Sequence, residues 1–193
     1  MAVFLDRDGV INRDSDDFVK SWEEFEFLPG SLEALSALSG TPYKIVVITN
    51  QSGIGRGLLT ETTLEQMHLR MIDRVRAAGG RIDAIYICPH LPTVGCGCRK
   101  PAPGLYFRAA RELNLDLTSS WAIGDSWRDI EAADQARVKA VLLNRTSPDP
   151  TALSGKSLDY LRAVDLLDAT RIILQKALMG PTQVDDCQRH DKS

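Results

Sequence analysis

The sequence predicts an α/β fold: a parallel sheet with helices on both of its faces. Three observations lead there. Short apolar runs of strand length alternate with stretches of helical periodicity. The run KIVVIT at residues 44–49 is rich in β-branched residues, as buried strands are. Loops carrying carboxylates or hydroxyls follow the apolar runs directly, and parallel sheets gather their working groups at the carboxyl ends of strands.

Residues 3–5 give the first strand, which ends in Asp6-Arg7-Asp8-Gly9. In extended backbone, side chains two apart share a side, so Asp6 and Asp8 can face one site. One carboxylate can attack phosphorus while the other handles a proton, and the pair offers oxygen ligands to a hard cation such as Mg²⁺. The same residues would also suit a plain Asp-Gly turn. Residues 12–26 are polar and irregular, with Asp14, Asp16 and Asp17 beside the aromatics Phe18, Trp22 and Phe25. They either wall the site or make a surface excursion whose aromatics pack on the core.

Pro29-Gly30-Ser31 opens a helix in which Leu32, Leu35 and Leu38 recur, and Gly40 ends it. The second strand, residues 44–49, runs into Asn50-Gln51-Ser52-Gly53-Ile54-Gly55-Arg56-Gly57. Small polar and glycine residues there suit an anion, or a simple turn. A long helix follows, capped by Thr60, with Leu64, Met67, Met71, Ile72 and Val75 inward and Gly79-Gly80 as its stop. His68 beside that stripe reads as a packing or surface residue rather than a ligand. Residues 84–88 are a third strand. After a cysteine-rich loop, Pro103-Gly104 opens a helix with Leu105, Phe107 or Ala109, and Leu113 inward. Residues 121–123 are a fourth strand that ends in Gly124-Asp125-Ser126-Trp127-Arg128-Asp129, residues 130–136 a short helix and residues 140–143 a fifth strand. Residues 147–150 are turn-rich, and residues 158–178 carry an apolar pattern ending in a helix. The whole is a Rossmann-like arrangement with Asp6, Asp8, Thr49 and Asp125 along one sheet edge. Residues 1–178 are expected to form a single domain, and the polar residues 179–193 a disordered tail.

The chain has 193 residues, 25% of them charged, and a formal net charge of -3. That balance is ordinary for a globular protein and argues against a nucleic-acid partner. No apolar run approaches the roughly 18–20 residues of a membrane span. The N-terminus lacks the pattern of a signal peptide, so a cytoplasmic location is expected. Of four cysteines, Cys88, Cys96 and Cys98 lie close together. In that compartment such a cluster favours a metal over a disulfide framework.

Four signatures in order resemble the haloacid dehalogenase (HAD) superfamily of phosphatases: Asp6-x-Asp8-Gly9, Thr49 after the second strand, Lys100 before a helix, and Gly124-Asp125-x-x-x-Asp129. Asp-Arg-Asp-Gly-Val-Ile-Asn, Thr-Asn-Gln-Ser-Gly-Ile, Cys-Pro-His and Cys-x-Cys-Arg-Lys-Pro are similar to one subfamily, the D,D-heptose 1,7-bisphosphate phosphatases, which are nearly capless and carry a zinc loop. The resemblance implies Asp6 as nucleophile through an aspartyl-phosphate, Asp8 as acid and then base, Thr49 on the phosphoryl oxygens, and Lys100 as positive charge. It implies Mg²⁺ on Asp6, the Asp8 carbonyl and Asp125, with Asp129 in support. Arg99 would clamp a phosphate. Asn50, Gln51, Ser52 and Arg56 would line the substrate pocket opposite Asp14 and Phe18. Where many relatives carry Lys after Asp125, this chain has Ser126, and Arg128 stands two residues on.

Zn²⁺ takes four tetrahedral thiolate or imidazole ligands. Cys88, His90, Cys96 and Cys98 supply four, which leaves no open position and makes the site structural. A disulfide across Cys96-Gly97-Cys98 would be badly strained. The expected substrate is a small phosphorylated sugar, handled by a monomer, with Mg²⁺ and Zn²⁺ as cofactors. Histidinol phosphate is the second candidate, because Asp14, Asp16 and Asp17 would suit an amine. A 3′-phosphatase of nucleic-acid ends is disfavoured by the acidic balance. A non-catalytic zinc-bearing module should have lost Asp6, Asp8 or Asp125.

Overall fold

A computed structural model describes residues 1–143 and 158–179. The turn-rich stretch at residues 147–150 and the tail from residue 180 lie outside them. Six strands make one sheet: β1 (Ala2–Leu5), β2 (Lys44–Asn50), β3 (Ala84–Cys88), β4 (Trp121–Gly124), β5 (Lys139–Leu143) and β6 (Tyr160–Ala163). Among the described residues the α-helices are α1 (Ser31–Ser39), α2 (Ser52–Gly55), α3 (Glu61–Ala77), α4 (Gly104–Leu113), α5 (Trp127–Gln135) and α6 (Leu166–Met179). The sheet order is β3-β2-β1-β4-β5-β6, and every pairing is parallel. Strand order therefore reverses beside β1, between β2 on one side and β4 on the other. A reversal of this kind opens a crevice at the carboxyl ends of the strands.

Alternation along β1 splits the core between two faces. Val3 and Leu5 pack with Leu35 and Leu38 of α1, Met67, Met71 and Val75 of α3, and Ala169 and Ile173 of α6. Phe4 points the other way, onto Leu105, Tyr106 and Ala109 of α4 and Ile130 and Ala133 of α5. Burial of each large side chain stabilises the fold by about 1.5–3 kcal/mol. The central strand thus holds both layers, and its end is the most constrained point of the sheet.

Several expectations change. Phe107 is 49% exposed, and Ala109 takes the inward position. On α4, Leu105, Tyr106 and Ala109 define the buried stripe, and a residue two after Leu105 falls on the far side of the helix. The helix expected at residues 130–136 begins earlier, at Trp127, because Ser126 and Asp129 form its capping box. The loop after β2 contains one helical turn, α2. Tyr160–Ala163 is a sixth strand at the sheet edge, where one apolar face and a mixed composition gave no clear period. Thr60 caps α3 as expected, its hydroxyl accepting from Thr63 N at 3.0 Å. Among the described residues, no helix is long and apolar enough to cross a membrane.

Candidate active site

The crevice at the reversal is a cleft lined by Asp6, Arg7 and Asp8 after β1, Thr49 to Ser52 after β2, and Asp125, Ser126, Arg128 and Asp129 after β4. Arg99 and Lys100 enter from the loop after β3, and Asp14, Ser15, Phe18 and Val19 close the opposite wall. Segment 12–26 divides its work. Its first part walls the cleft, while Trp22 and Phe25 stack at 5.1 Å against the core. Arg56 stands back from the cleft, its guanidinium 5.5 Å over the Phe18 ring. Arg56, expected at the substrate, is not among the cleft-lining residues and packs on Phe18, which is one of them. Asp16 and Asp17 do not line the cleft either.

The loop after β1 fits only because residue 9 is glycine. Gly9 has φ +77°, and a Cβ there would lie 1.8 Å from Asp125 Oδ2. The β1 and β4 loops therefore touch through bare backbone. Asp6 continues the sheet pattern, its N–H donating to Ile123 O at 3.0 Å.

Lys100 is the internal cation of the site, 3% exposed. Its Nζ meets Asp6 Oδ2 at 2.9 Å and Asp129 Oδ1 at 2.5 Å, and donates to Ile48 O at 2.8 Å. Although burial opposes the charge, Asp129 and Asp6 together push its pKa up. The backbone that delivers it is clasped by Asn50, which donates from Nδ2 to Lys100 O and accepts at Oδ1 from Lys100 N, both at 3.1 Å. Asn50, expected as a substrate contact, has its amide committed to Lys100. Ser126 is committed too: its N and Oγ donate to Asp129 Oδ2 at 3.1 and 2.6 Å. Asp129 is thereby held at both oxygens.

Asp8 is gripped more heavily. Its Oδ1 accepts from Arg7 Nε at 3.1 Å, Arg7 Nη2 at 2.8 Å and Asn12 Nδ2 at 2.9 Å. Its Oδ2 accepts from Gln51 Nε2 at 2.7 Å, and Gln51 also donates to Thr49 Oγ1 at 3.0 Å. Burial alone would raise Asp8, but the Arg7 guanidinium and the hydrogen bonds from Asn12 and Gln51 hold it below the usual carboxylate range. Asp6 goes the other way. Burial, with the charges of Asp129 and Asp8 adding, pushes it up to about 8 against the pull of Lys100. The two carboxylates thus differ sharply in environment.

Sequence reasoning gave no role to Arg7 or Asn12, and His68, read as a packing or surface residue, is buried against Arg7. Arg7 sits between the two aspartates, so its side chain leaves on the opposite side, into the protein. It is 1% exposed, and its Nη1 lies 3.2 Å from His68 Nε2 on α3. An Arg at an inward position of a buried strand end is a usable signal, because a buried guanidinium requires partners.

Two clusters suit metals. Ligand atoms of Asp6, Asp125 and Asp129 lie within 4.8 Å of one another. Asp6 is raised mainly by burial, with the charge of Asp129 adding, and a divalent cation would favour its ionised form; carboxylate oxygens are what Mg²⁺ takes. Cys88, His90, Cys96 and Cys98 make the second cluster. Cys98 Sγ is 3.4 Å from both Cys88 Sγ and Cys96 Sγ and 3.2 Å from His90 Nδ1. Cys88 Sγ is 3.6 Å from Cys96 Sγ and from His90 Nδ1. Zinc–sulfur bonds of about 2.3 Å imply tetrahedral edges of about 3.8 Å, so these atoms nearly make a zinc tetrahedron. The loop is tied to α4 by Gly104 N donating to Gly97 O at 3.0 Å, and a Cβ at Gly104 would come within 2.2 Å of that oxygen.

A HAD-hydrolase-like family model matches residues 97–169. The chain is 43% identical over 176 residues to the D-glycero-beta-D-manno-heptose-1,7-bisphosphate 7-phosphatase of Bordetella bronchiseptica, with 91% of this chain and 98% of that one covered. It is 44% identical over 167 residues to the same-named enzyme of Pseudomonas aeruginosa, covering 84% and 94%. A crystal structure of the B. bronchiseptica D,D-heptose 1,7-bisphosphate phosphatase, complexed with magnesium and phosphate, superposes with a TM-score of 0.82 over 91% of this chain and 99% of that one, at 43% identity.

Proposed function

The chain belongs to the D-glycero-beta-D-manno-heptose-1,7-bisphosphate 7-phosphatase family, within the HAD-type phosphatases, and we propose on that premise that it removes the 7-phosphate of D-glycero-D-manno-heptose 1,7-bisphosphate to leave heptose 1-phosphate. The observation that carries the reading is the pairing of Asp6, held by Lys100, with Asp8, held by Arg7, at one end of the cleft. The names shared by the relatives favour the β anomer.

Asp6 attacks phosphorus, the bond from phosphorus to the C7 oxygen breaks, and an aspartyl-phosphate forms. Asp8 gives a proton to the departing sugar oxygen, then takes one from the water that attacks phosphorus and frees Asp6. An incoming phosphate adds negative charge beside Asp8 and raises its affinity for that proton. Thr49 and the α2 segment border the phosphoryl group. Asp6, Asp125 and the main-chain carbonyl of Asp8 would hold Mg²⁺, with Asp129 behind them. When bound, Mg²⁺ supplies positive charge that offsets the repulsion between carboxylates and phosphate. Cys88, His90, Cys96 and Cys98 would hold Zn²⁺ as a structural ion.

Arg99 and Arg128 are further cations that line the cleft. They suit the phosphate that is retained. Asp14, Phe18 and Ser52 complete the wall around the sugar. We read residues 1–178 as one catalytic unit acting as a cytoplasmic monomer, with no nucleic-acid or membrane partner.

Phosphate release with Mg²⁺ tests the reading, with both heptose bisphosphate anomers beside histidinol phosphate and Asp6→Asn as the blank. A kcat/KM advantage for a heptose bisphosphate is expected. An advantage for histidinol phosphate would move the protein to amino-acid biosynthesis. Turnover no higher than the blank on any of them would remove the substrate assignment.

A further inference from the structure

The position of Asp8 depends on a chain of contacts reaching out of the cleft to α3. Arg7 presents three nitrogens. Nε and Nη2 grip Asp8 Oδ1, and Nη1 points to His68 Nε2 at 3.2 Å and Met67 Sδ at 3.8 Å. A guanidinium has five N–H donors and no acceptor. His68 Nε2 must therefore accept, which places the ring proton on Nδ1 and leaves the imidazole neutral. His68 is 8% exposed, so water offers little alternative to this contact. Burial and the Arg7 charge also push His68 down to about 3, in keeping with a neutral ring.

We infer that His68 is a positioning residue for the acid–base step: it fixes the Arg7 guanidinium, which saturates Asp8 Oδ1 and leaves Oδ2 as the atom that carries the transferred proton. Oδ1 accepts three donors, whereas Oδ2 accepts from Gln51 alone. Only Oδ2 has room for a hydrogen. With no acceptor at position 68, Arg7 can rotate about its terminal torsions, and Asp8 rotates with it. The inference rests on the phosphatase reading for its kinetic consequence, but not for the hydrogen bond itself.

His68→Leu removes the acceptor at similar volume, and His68→Gln keeps an acceptor oxygen. Both are made in the full chain and assayed on heptose bisphosphate and on an unspecific aryl phosphate, with thermal midpoints recorded. His68→Leu is expected to lower kcat about tenfold at unchanged KM, part of the ~10²–10⁴-fold that acid–base catalysis supplies. His68→Gln should keep kcat within about threefold of the parent on the same grounds. Equal kcat in the two variants, or a rise in KM with kcat unchanged, would overturn the inference. A nitrogen-15 spectrum of the unmodified protein gives a test independent of folding in the variants. It should show the Nδ1–H tautomer for His68, and a protonated Nε2 would refute the contact. Turnover of the aryl phosphate alone would remove the heptose assignment and leave the His68 comparison valid.

Discussion

Asp8 accepts four side-chain hydrogen bonds on two oxygens, whereas Asp6 has one buried lysine and the Arg7 backbone N–H. That difference fits the proposed duties of nucleophile for Asp6 and acid–base group for Asp8. A carboxylate that must give and regain a proton needs a fixed orientation, whereas a nucleophile needs a neighbouring cation and an open approach. Gly9 decides whether these groups can meet Asp125 at all. Gly9→Ala would place a methyl group in the space of Asp125 Oδ2 and force a left-handed conformation that costs a non-glycine residue about 1–2 kcal/mol. We expect Gly9→Ala to keep its far-ultraviolet circular dichroism and lose about 10²-fold or more in kcat/KM, the scale of a 1 Å misplacement at a reacting centre. A variant with parental kcat/KM would show that the two loops do not need this close approach.

At the scale of elements, the loop between β3 and α4 connects metal to chemistry. It begins at Cys88, whose carbonyl accepts from Gln51 N at 2.8 Å, and it ends by presenting Arg99 and Lys100 immediately after Cys98. Folding of the four ligand residues around zinc would therefore set the backbone from which Lys100 reaches Asp6. Cys96→Ser should release zinc, measured by atomic absorption, and lower the melting temperature. It should also reduce kcat/KM by about tenfold, the low end of the effect of loosening a site's supporting contacts. If zinc were lost while kcat/KM held, Asn50 alone would be enough to seat Lys100. The Ser126–Asp129 capping box shows the same economy: one pair starts α5 and holds Asp129 against Lys100.

At the scale of the whole molecule, the strand that carries the proposed catalytic pair is the one that both cores need. β1 lies between β2 and β4, while β3 and β6 are the sheet edges. Amide exchange should be slowest at Val3, Phe4 and Leu5 and at least about tenfold faster in β6, because edge strands open by local unfolding that leaves the rest intact. Exchange of β1 on the timescale of β6 would contradict a sheet that unfolds from its edges. A site seated on the last strand to open retains its geometry while peripheral loops move.

How much of this was legible in the sequence follows from sequence distance. Asp6 and Asp8 on one side of a strand end, the Thr60 cap, and four zinc-type ligands within one loop are set by local spacing, and local spacing can be read along a chain. The helical turn at Ser52–Gly55 and the start of α5 at Trp127 were also local, but they were hidden inside segments whose residues suit loops equally well. Partner choice across the fold was not legible. Asn50 lines the cleft as expected, but its clasp on Lys100, 50 positions away, gave no sign in the sequence. Gln51 reaches Asp8 across 43 positions, and Arg7 reaches His68 across 61. The sequence by itself determined the class of fold, the order of the motifs and the chemical groups at each strand end, because periodicity and strand-end loops are properties of neighbouring residues. The tertiary structure alone decided which donor each carboxylate keeps, because only packing of α3 and the sheet brings those groups within hydrogen-bond distance in a space from which water is excluded.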